Sequence, residues 1–325
     1  MRRVSSLGGS SRVRAGAGLR VRAFAKINVT LEVLGVRPDG YHELRTVFRS
    51  IALHDRLTFE RTRARFAIEA NDPGCPTDST NLVWRAAELV WRAARRRGVP
   101  VGVRVRIDKR IPSQAGLGGG SSDGAAALRV LRTLWCPSMS ARQLHDLARA
   151  LGADVPYFLR GGTVLGLDRG DRLFSLAEPP TVWIALALPG PGVRTAEAFT
   201  WWDERAAGGR RRARRPGRDI DKAAMWVPDG PIGPDGVGND LEAPVAAHRR
   251  DIADTLARLR DRGALAATMS GSGSACCGFF ASREAAVRAA VALRSSRCRT
   301  WVTSTVTARA YARWSVPTPL SQRRR

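Results

Sequence analysis

Four glycines fall within five positions of the segment Pro112-Ser-Gln-Ala-Gly-Leu-Gly-Gly-Gly-Ser-Ser-Asp123. A backbone without Cβ atoms enters φ > 0 conformations and lets its N–H groups approach a polyanion closely, so this segment could wrap a phosphate. Ala127, Leu128, Leu131, Leu134 and Trp135 then recur at helical spacing, which predicts a helix aimed at the same place. Its N-terminal dipole contributes about 0.3–1 kcal/mol toward an anion. Ser121 and Ser122 could cap that helix or contact phosphate and a bound metal. The terminal Lys of G-x-x-x-x-G-K-[ST] and the spacing G-x-G-x-x-G are both missing, which argues against a P-loop NTPase and a Rossmann enzyme. Composition by itself leaves two readings open, a phosphate cradle or a flexible surface turn with a Ser N-cap.

Other residues have chemistry of their own. Lys26 and Asn28 share one face of an alternating segment, where they can reach a single ligand or form a solvated strand face. Asp154 follows a predicted helix end at Gly152; with Pro156 two residues on, it either N-caps residues 155–159 or presents a free carboxylate. Tyr41 and His42 follow the turn signal Pro38-Asp39-Gly40, and a ring and an imidazole presented together could stack on and hydrogen-bond a nucleobase. Ser270-Gly-Ser-Gly-Ser274 is a second glycine-rich turn that either lines the same cleft or is an ordinary tight connection.

The elements that must position these residues are legible from periodicity. Ala25, Ile27, Val29, Leu31 and Val33 alternate with Lys26, Asn28, Thr30 and Glu32, which predicts a half-buried strand, and Thr46 to Phe59 is strand-like again. A helix is expected over Asn81 to Arg97, ending before Gly98, and a strand over Val101 to Ile107. Ser140 with Gln143 is a capping-box pattern for a helix through Leu151. Pro179 and Pro180 mark a hinge before the strand Val182 to Leu188; strands follow at Ala275 to Phe280 and Trp301 to Ala308, and helices at Leu241 to Arg260 and Arg283 to Leu293. Strands grouped between helices, without sustained βαβ alternation, predict an α+β protein. At 325 residues two lobes are expected: a flexible extension (1–20), a first lobe (21–178), a second (179–314) and a basic tail (315–325).

The formal charge of +25 raises nucleic acid as a partner. Much of the excess, however, lies in the acid-free start Met1 to Leu31, the run Arg210 to Arg218 and the tail Arg323 to Arg325, blocks that are usually solvated. A small-molecule substrate is therefore expected and no nucleic acid, with an RNA-binding protein as the alternative that charge motivates. Only Lys26, Lys109 and Lys222 are lysines among many arginines, so a lysine here suggests a site that needs a compact ammonium. Apolar runs are too short to cross a bilayer as a helix. Five cysteines without paired metal-ligand spacing fit reduced thiols in a cytoplasm.

Taken together, Ala25-Lys-Ile-Asn28, Asp39-Gly-Tyr-His42, Gly116 to Ser122, Leu151-Gly-Ala-Asp-Val-Pro156 and Met269-Ser-Gly-Ser-Gly273 stand in an order that resembles the GHMP kinases. The resemblance implies a two-lobed kinase with its active site in the cleft, using ATP and Mg²⁺ as a monomer or homodimer. The first two motifs resemble the member that phosphorylates the C2 hydroxyl of a cytidylyl-linked methylerythritol in the non-mevalonate route to isoprenoids. Carried over by position, Asp154 would be the general base and Lys26 would orient it. Pro112, Ser113, Gln114, Ala115, Gly116, Leu117, Gly118, Gly119, Gly120, Ser121 and Ser122 would hold the nucleotide, with Asn81 and Lys109 near its adenosine. Tyr41 and Phe199 would sandwich the cytosine, His42 would read its edge, and Asn28 and Thr195 would contact the substrate nearby. A member acting on homoserine or mevalonate would keep the glycine-rich loop without needing Tyr41, His42 and Phe199. Gly124 stands where the family often has Ala, a change costing up to about 1 kcal/mol in a helix.

Overall fold

A computed structural model describes residues 18–207 and 236–320. Residues 1–17, the Arg210 to Arg218 run and Arg323 to Arg325 lie outside the described residues. The expected α+β organisation is present. β1 (Leu19–Val36) and β2 (His42–Arg65) form a long hairpin, followed by β3 (Ala67–Ala70), α1 (Leu82–Ala93), β4 (Val101–Asp108), α2 (Gly119–Trp135), α3 (Ala141–Leu151), α4 (Val155–Phe158), β5 (Thr163–Asp168) and β6 (Arg172–Ser175). The second lobe begins with β7 (Trp183–Pro189) and α5 (Thr195–Arg205), and continues through β8 (Gly238–Asn239), β9 (Ala266–Met269), β10 (Cys276–Phe280) and β11 (Cys298–Val306). β12 (Thr318–Pro319) closes the chain. The strand order β12-β1-β2-β11-β7-β10-β9 carries one sheet through both lobes, with β11 joining β2 on one side and β7 on the other.

β1 departs from the half-buried strand its alternation predicts. The middle of its polar face is buried as well, with Lys26 4 % and Asn28 2 % exposed, while Thr30 and Glu32 stay half-buried. The reason is that β1 crosses the molecule. Leu19, Val21 and Ala23 enter the first lobe's core with Leu57, Val105 and Leu128. Ala25, Ile27 and Val29 pack at the junction against Leu117, Ile184 and Phe279. Leu31 and Val33 reach a third core beneath the helices of the second lobe. Register shifts interrupt β1 against β2 between Phe24 and Lys26 and between Asn28 and Thr30; such bulges re-aim side chains.

Other boundaries move for local reasons. α1 ends at Ala93, earlier than Arg97, with Arg95 in the left-handed region at φ 56°. The expected helix Leu241 to Arg260 is two helices, Glu242–His248 and Arg250–Asp261, broken at Arg249, whose guanidinium donates to the carbonyls of Pro189 and Pro191. Both capping-box bonds of Ser140 and Gln143 are present. Gly124 is buried where α2 crosses α1; a Cβ there would stand 3.2 Å from that of Leu82, so the close crossing favours glycine. Residues placed in the expected extension and tail take part in the fold. Leu19 and Arg20 pair with Pro319 and Thr318, and the helix Ala308–Trp314 returns to the first lobe, where Tyr311 packs with Phe24.

α4 is a single turn, too short to hold itself. It is anchored by Tyr157, fully buried, whose hydroxyl lies 2.7 Å from Ser50 Oγ and donates to the Gly162 carbonyl at 2.8 Å. Tyr157→Phe leaves the buried Ser50 hydroxyl short of a partner. We expect a loss of about 1–3 kcal/mol, read as a lower urea midpoint at unchanged slope.

Candidate active site

The lobes enclose a cavity of about 1330 Å³. Lys26, Asn28, Tyr41, His42, Asn81, Lys109, Asp154, Thr195, Phe199 and Pro112 through Ser121 all line it. Residues spread over most of the chain are thereby brought to one cavity.

The glycine-rich segment is half loop and half helix. Its N-cap is Gly118, at φ 69°, and α2 starts at Gly119, so neither Ser121 nor Ser122 caps it. The first N–H groups of such a helix have no intrahelical acceptor and are free for an anion. Ser122 corrects the expectation. It is buried, and its hydroxyl donates to the Phe24 carbonyl at 2.7 Å, facing the core and not the cavity. Gly116, at φ 75°, lies under the second glycine-rich turn: an added Cβ would be 2.0 Å from the Ser270 carbonyl oxygen. That turn therefore lines the same cleft. Ser270 Oγ donates to the Gly116 carbonyl and accepts from Asn28 N, and Ser272 lies 3.1 Å from the Thr195 hydroxyl.

Lys26 and Asp154 meet at 3.5 Å, with side chains 5 % and 33 % exposed. The ammonium is thus held inside while the carboxylate opens to the cavity. Lys26 Nζ also donates to Asn28 Oδ1 at 2.7 Å, and Asn28 donates in turn to Thr46 Oγ1. Asp154 occupies the N-cap position of α4 but makes no side-chain cap bond, which decides between the two readings of this residue. A carboxylate beside an ammonium and open to a ligand can accept a proton from a bound hydroxyl.

Lys109 is not free. Its ammonium, 6 % exposed, is shared by the buried carboxylates of Asp55 and Asp123. Burial works to lower the Lys109 pKa, but the charges of Asp123 and Asp55 outweigh it and hold it above its ordinary value. Burial pushes the Asp123 carboxyl up to about 8; Lys109 opposes the shift and Asp55 adds to it. Asp55 also accepts from the backbone N–H groups of Arg110 and Ile111, fixing the entry to the loop. Asn81 is likewise committed, capping α1 through Val83 N and donating to the Pro76 carbonyl.

At the far end, His42 stacks on Phe199 with ring centroids 4.3 Å apart and 21° between planes. Tyr41 is exposed, with the Arg169 guanidinium 5.1 Å from its ring. The structure thus joins Phe199 to His42, and among the described residues no aromatic ring contact links Tyr41 to either.

Asp55 and Asp203 escaped the sequence reading, whereas Ser270 and Ser272 belong to the second glycine-rich turn, expected either to line this cleft or to be a tight connection. Asp203 had a usable signal, standing four residues after Phe199 on a predicted second-lobe segment. Asp55 had none, because a lone acid in a strand reads as surface.

A glycine-rich helix N-terminus beside a lysine–aspartate pair, in the cleft of a two-lobed α+β fold, defines a small-molecule kinase of the GHMP type. The family model described as "GHMP kinases N terminal domain" matches residues 81–162, and "GHMP kinases C terminal" matches 233–299. The chain is 41 % identical over 288 residues to the 4-diphosphocytidyl-2-C-methyl-D-erythritol kinase of Moorella thermoacetica, covering 89 % of this chain and 99 % of that one. A crystal structure of 4-(cytidine 5'-diphospho)-2C-methyl-D-erythritol kinase superposes with a TM-score of 0.71 at 36 % identity, covering 88 % of this chain and 98 % of that one. The L. major mevalonate kinase, at 16 % identity and TM-score 0.67 over 92 % of this chain and 99 % of that one, shares the fold. The chain belongs to the 4-diphosphocytidyl-2-C-methyl-D-erythritol kinase family of GHMP kinases.

Two glycines of the loop should respond in opposite ways. Gly116→Ala drives a methyl into the Ser270 carbonyl at a positive φ and should lower thermal stability sharply. At Gly120 an added Cβ meets nothing within 4 Å, so Gly120→Ala should fold as well as wild type while raising KM for ATP by about tenfold, equivalent to about 1.4 kcal/mol.

The Asp123 pKa sets a pH slope. The folded protein keeps this proton up to about pH 8, whereas an unfolded Asp releases it near pH 4, so the native state binds more protons across that window. Stability from this group therefore falls as pH rises through it. Asp123→Asn should remove that fall, so its urea midpoint gains on wild type between about pH 5 and about pH 8.

Proposed function

We propose that the chain transfers the γ-phosphoryl group of ATP to the C2 hydroxyl of 4-diphosphocytidyl-2-C-methyl-D-erythritol, a step of the non-mevalonate route to isoprenoid precursors. The observation that carries this is the Lys26–Asp154 pair on the same cavity wall as the glycine-rich helix N-terminus. Asp154 accepts the C2 hydroxyl proton as that oxygen bonds to the γ-phosphorus, and the bond from the γ-phosphorus to its bridging oxygen breaks to release ADP. Lys26 orients Asp154 and offsets charge on the reacting oxygens. Phosphoryl transfer asks little more of a protein than such positioning and electrostatics.

In this reading Gly116 to Ser121 cradle the phosphates, with Pro112 to Ala115 leading the backbone in, and Asn81 and Lys109 shape the adenosine end through the bonds they already make. Tyr41, His42 and Phe199 hold the cytosine, and Asn28 and Thr195 the polyol side. Among the described residues no group of three or more His, Cys, Asp or Glu could hold a metal ion. Mg²⁺ usually needs only one or two protein oxygens beside the phosphates, and Asp123 Oδ1, buried with no hydrogen-bond partner, would serve once its carboxyl is ionised, with the Ser121 hydroxyl at the same cavity. When bound, Mg²⁺ neutralises charge on the β- and γ-phosphates. Five unpaired cysteines, three of them buried, support a reducing cytoplasm. Among the described residues no helix is long and apolar enough to cross a membrane.

Purified protein should form ADP with the cytidylyl substrate and not with homoserine or mevalonate; the reverse preference overturns the assignment. Asp154→Asn and Lys26→Ala should each lower kcat by about 10²–10⁴-fold, with far-UV circular dichroism unchanged.

A further inference from the structure

His42 is held on three sides by one helix. Phe199, Trp202 and Asp203 stand at i, i+3 and i+4 on α5, so they share a face. Phe199 stacks on the imidazole, Trp202 meets it edge-on at 5.7 Å and 88°, and Asp203 Oδ1 lies 2.9 Å from Nε2. The imidazole belongs to the first lobe and the clamp to the second. His42 is 12 % exposed and Asp203 46 %, both at the cavity wall. No other side-chain hydrogen bond to the imidazole is present among the described residues.

A carboxylate can only accept, so the hydrogen of His42 must sit on Nε2. In a neutral imidazole that leaves Nδ1 as an acceptor. Cytosine presents an amino group at C4 where uracil presents a carbonyl oxygen. An imidazole with an accepting Nδ1 therefore pairs with the cytosine amine and opposes the uracil oxygen. We propose that Asp203 is a positioning residue that fixes the His42 tautomer and so makes the site select a cytosine over a uracil base. This rests on the proposed function, in which His42 reads the base edge.

The test is kinetic, with the cytidylyl substrate and its uridylyl counterpart. Wild type should favour the cytidylyl compound strongly in kcat/KM. In Asp203→Asn the carboxamide can donate to Nε2 and place the hydrogen on Nδ1, and in Asp203→Ala neither tautomer is held. Both variants should reduce the preference by about tenfold or more, through KM and not kcat, while KM for ATP stays put. Asp203→Glu, which keeps an acceptor, should retain most of the preference. Imidazole ¹⁵N NMR should find the Nε2–H tautomer of His42 in wild type and its loss in Asp203→Asn. An unchanged preference in the Asn and Ala variants, or an equal rise in KM for both nucleotides, overturns the role of Asp203 while leaving the proposed function intact. Wild type inactive on the cytidylyl substrate overturns both.

Discussion

Two glycine-rich turns, one from each lobe, touch backbone to backbone, and the cavity exists because they do. Gly116 lies so close to Ser270 that no Cβ fits between them, and a Cβ on Gly271 would stand 3.3 Å from the Gly116 carbonyl oxygen. The contact is sealed by hydrogen bonds: Ser270 Oγ to the Gly116 carbonyl, and Ala275 N to the Ala115 carbonyl. Asn239 holds the second turn from behind, donating to the carbonyls of Met269 and Gly271. With the turns locked, the helix N-terminus at Gly119 faces the same space as Asp154 and Thr195.

The polar interior follows from that junction. β1 has to pass beneath both turns, so Lys26 and Asn28 on its polar face are buried and each must find a partner. Asn28 is shared by Lys26, Thr46 and, through its backbone, Ser270. Lys26 N donates to the Leu117 carbonyl, which ties the strand to the loop directly. The ammonium ends up fixed, dry and beside one accessible carboxylate, an environment in which charge acts more strongly than in water.

The other buried lysine has a different task. Lys109 lies between Asp55 and Asp123, so one positive charge answers two potential negative ones. Removing either carboxylate's partner would leave charge in a dry place, where it is costly. The cluster clamps the entry to the loop and the start of α2, making Lys109 part of the frame around the glycine-rich loop. Of the three lysines that scarcity singled out, Lys222 lies outside the described residues, and Lys26 and Lys109 are ammoniums in confined polar sites that a planar guanidinium would not fill.

Periodicity was enough to read the strand at Lys26, the helix after Gly120, the capping box at Ser140 and the mixed α+β class, because those patterns report local backbone preference and which face seeks a core. The glycine-rich loop and the motifs around Lys26, His42 and Asp154 were legible for a related reason: few residue types can perform each job. Sequence alone could not say that Ser122 turns inward, that Asp154 leaves its cap unmade, that Phe199 stacks on His42, or that residues 308–320 return to the first lobe. Those outcomes depend on long-range approach. A hydroxyl or carboxylate takes whichever partner the packed chain brings within about 3 Å, and that partner is far away in sequence: Phe24 for Ser122 and Lys26 for Asp154.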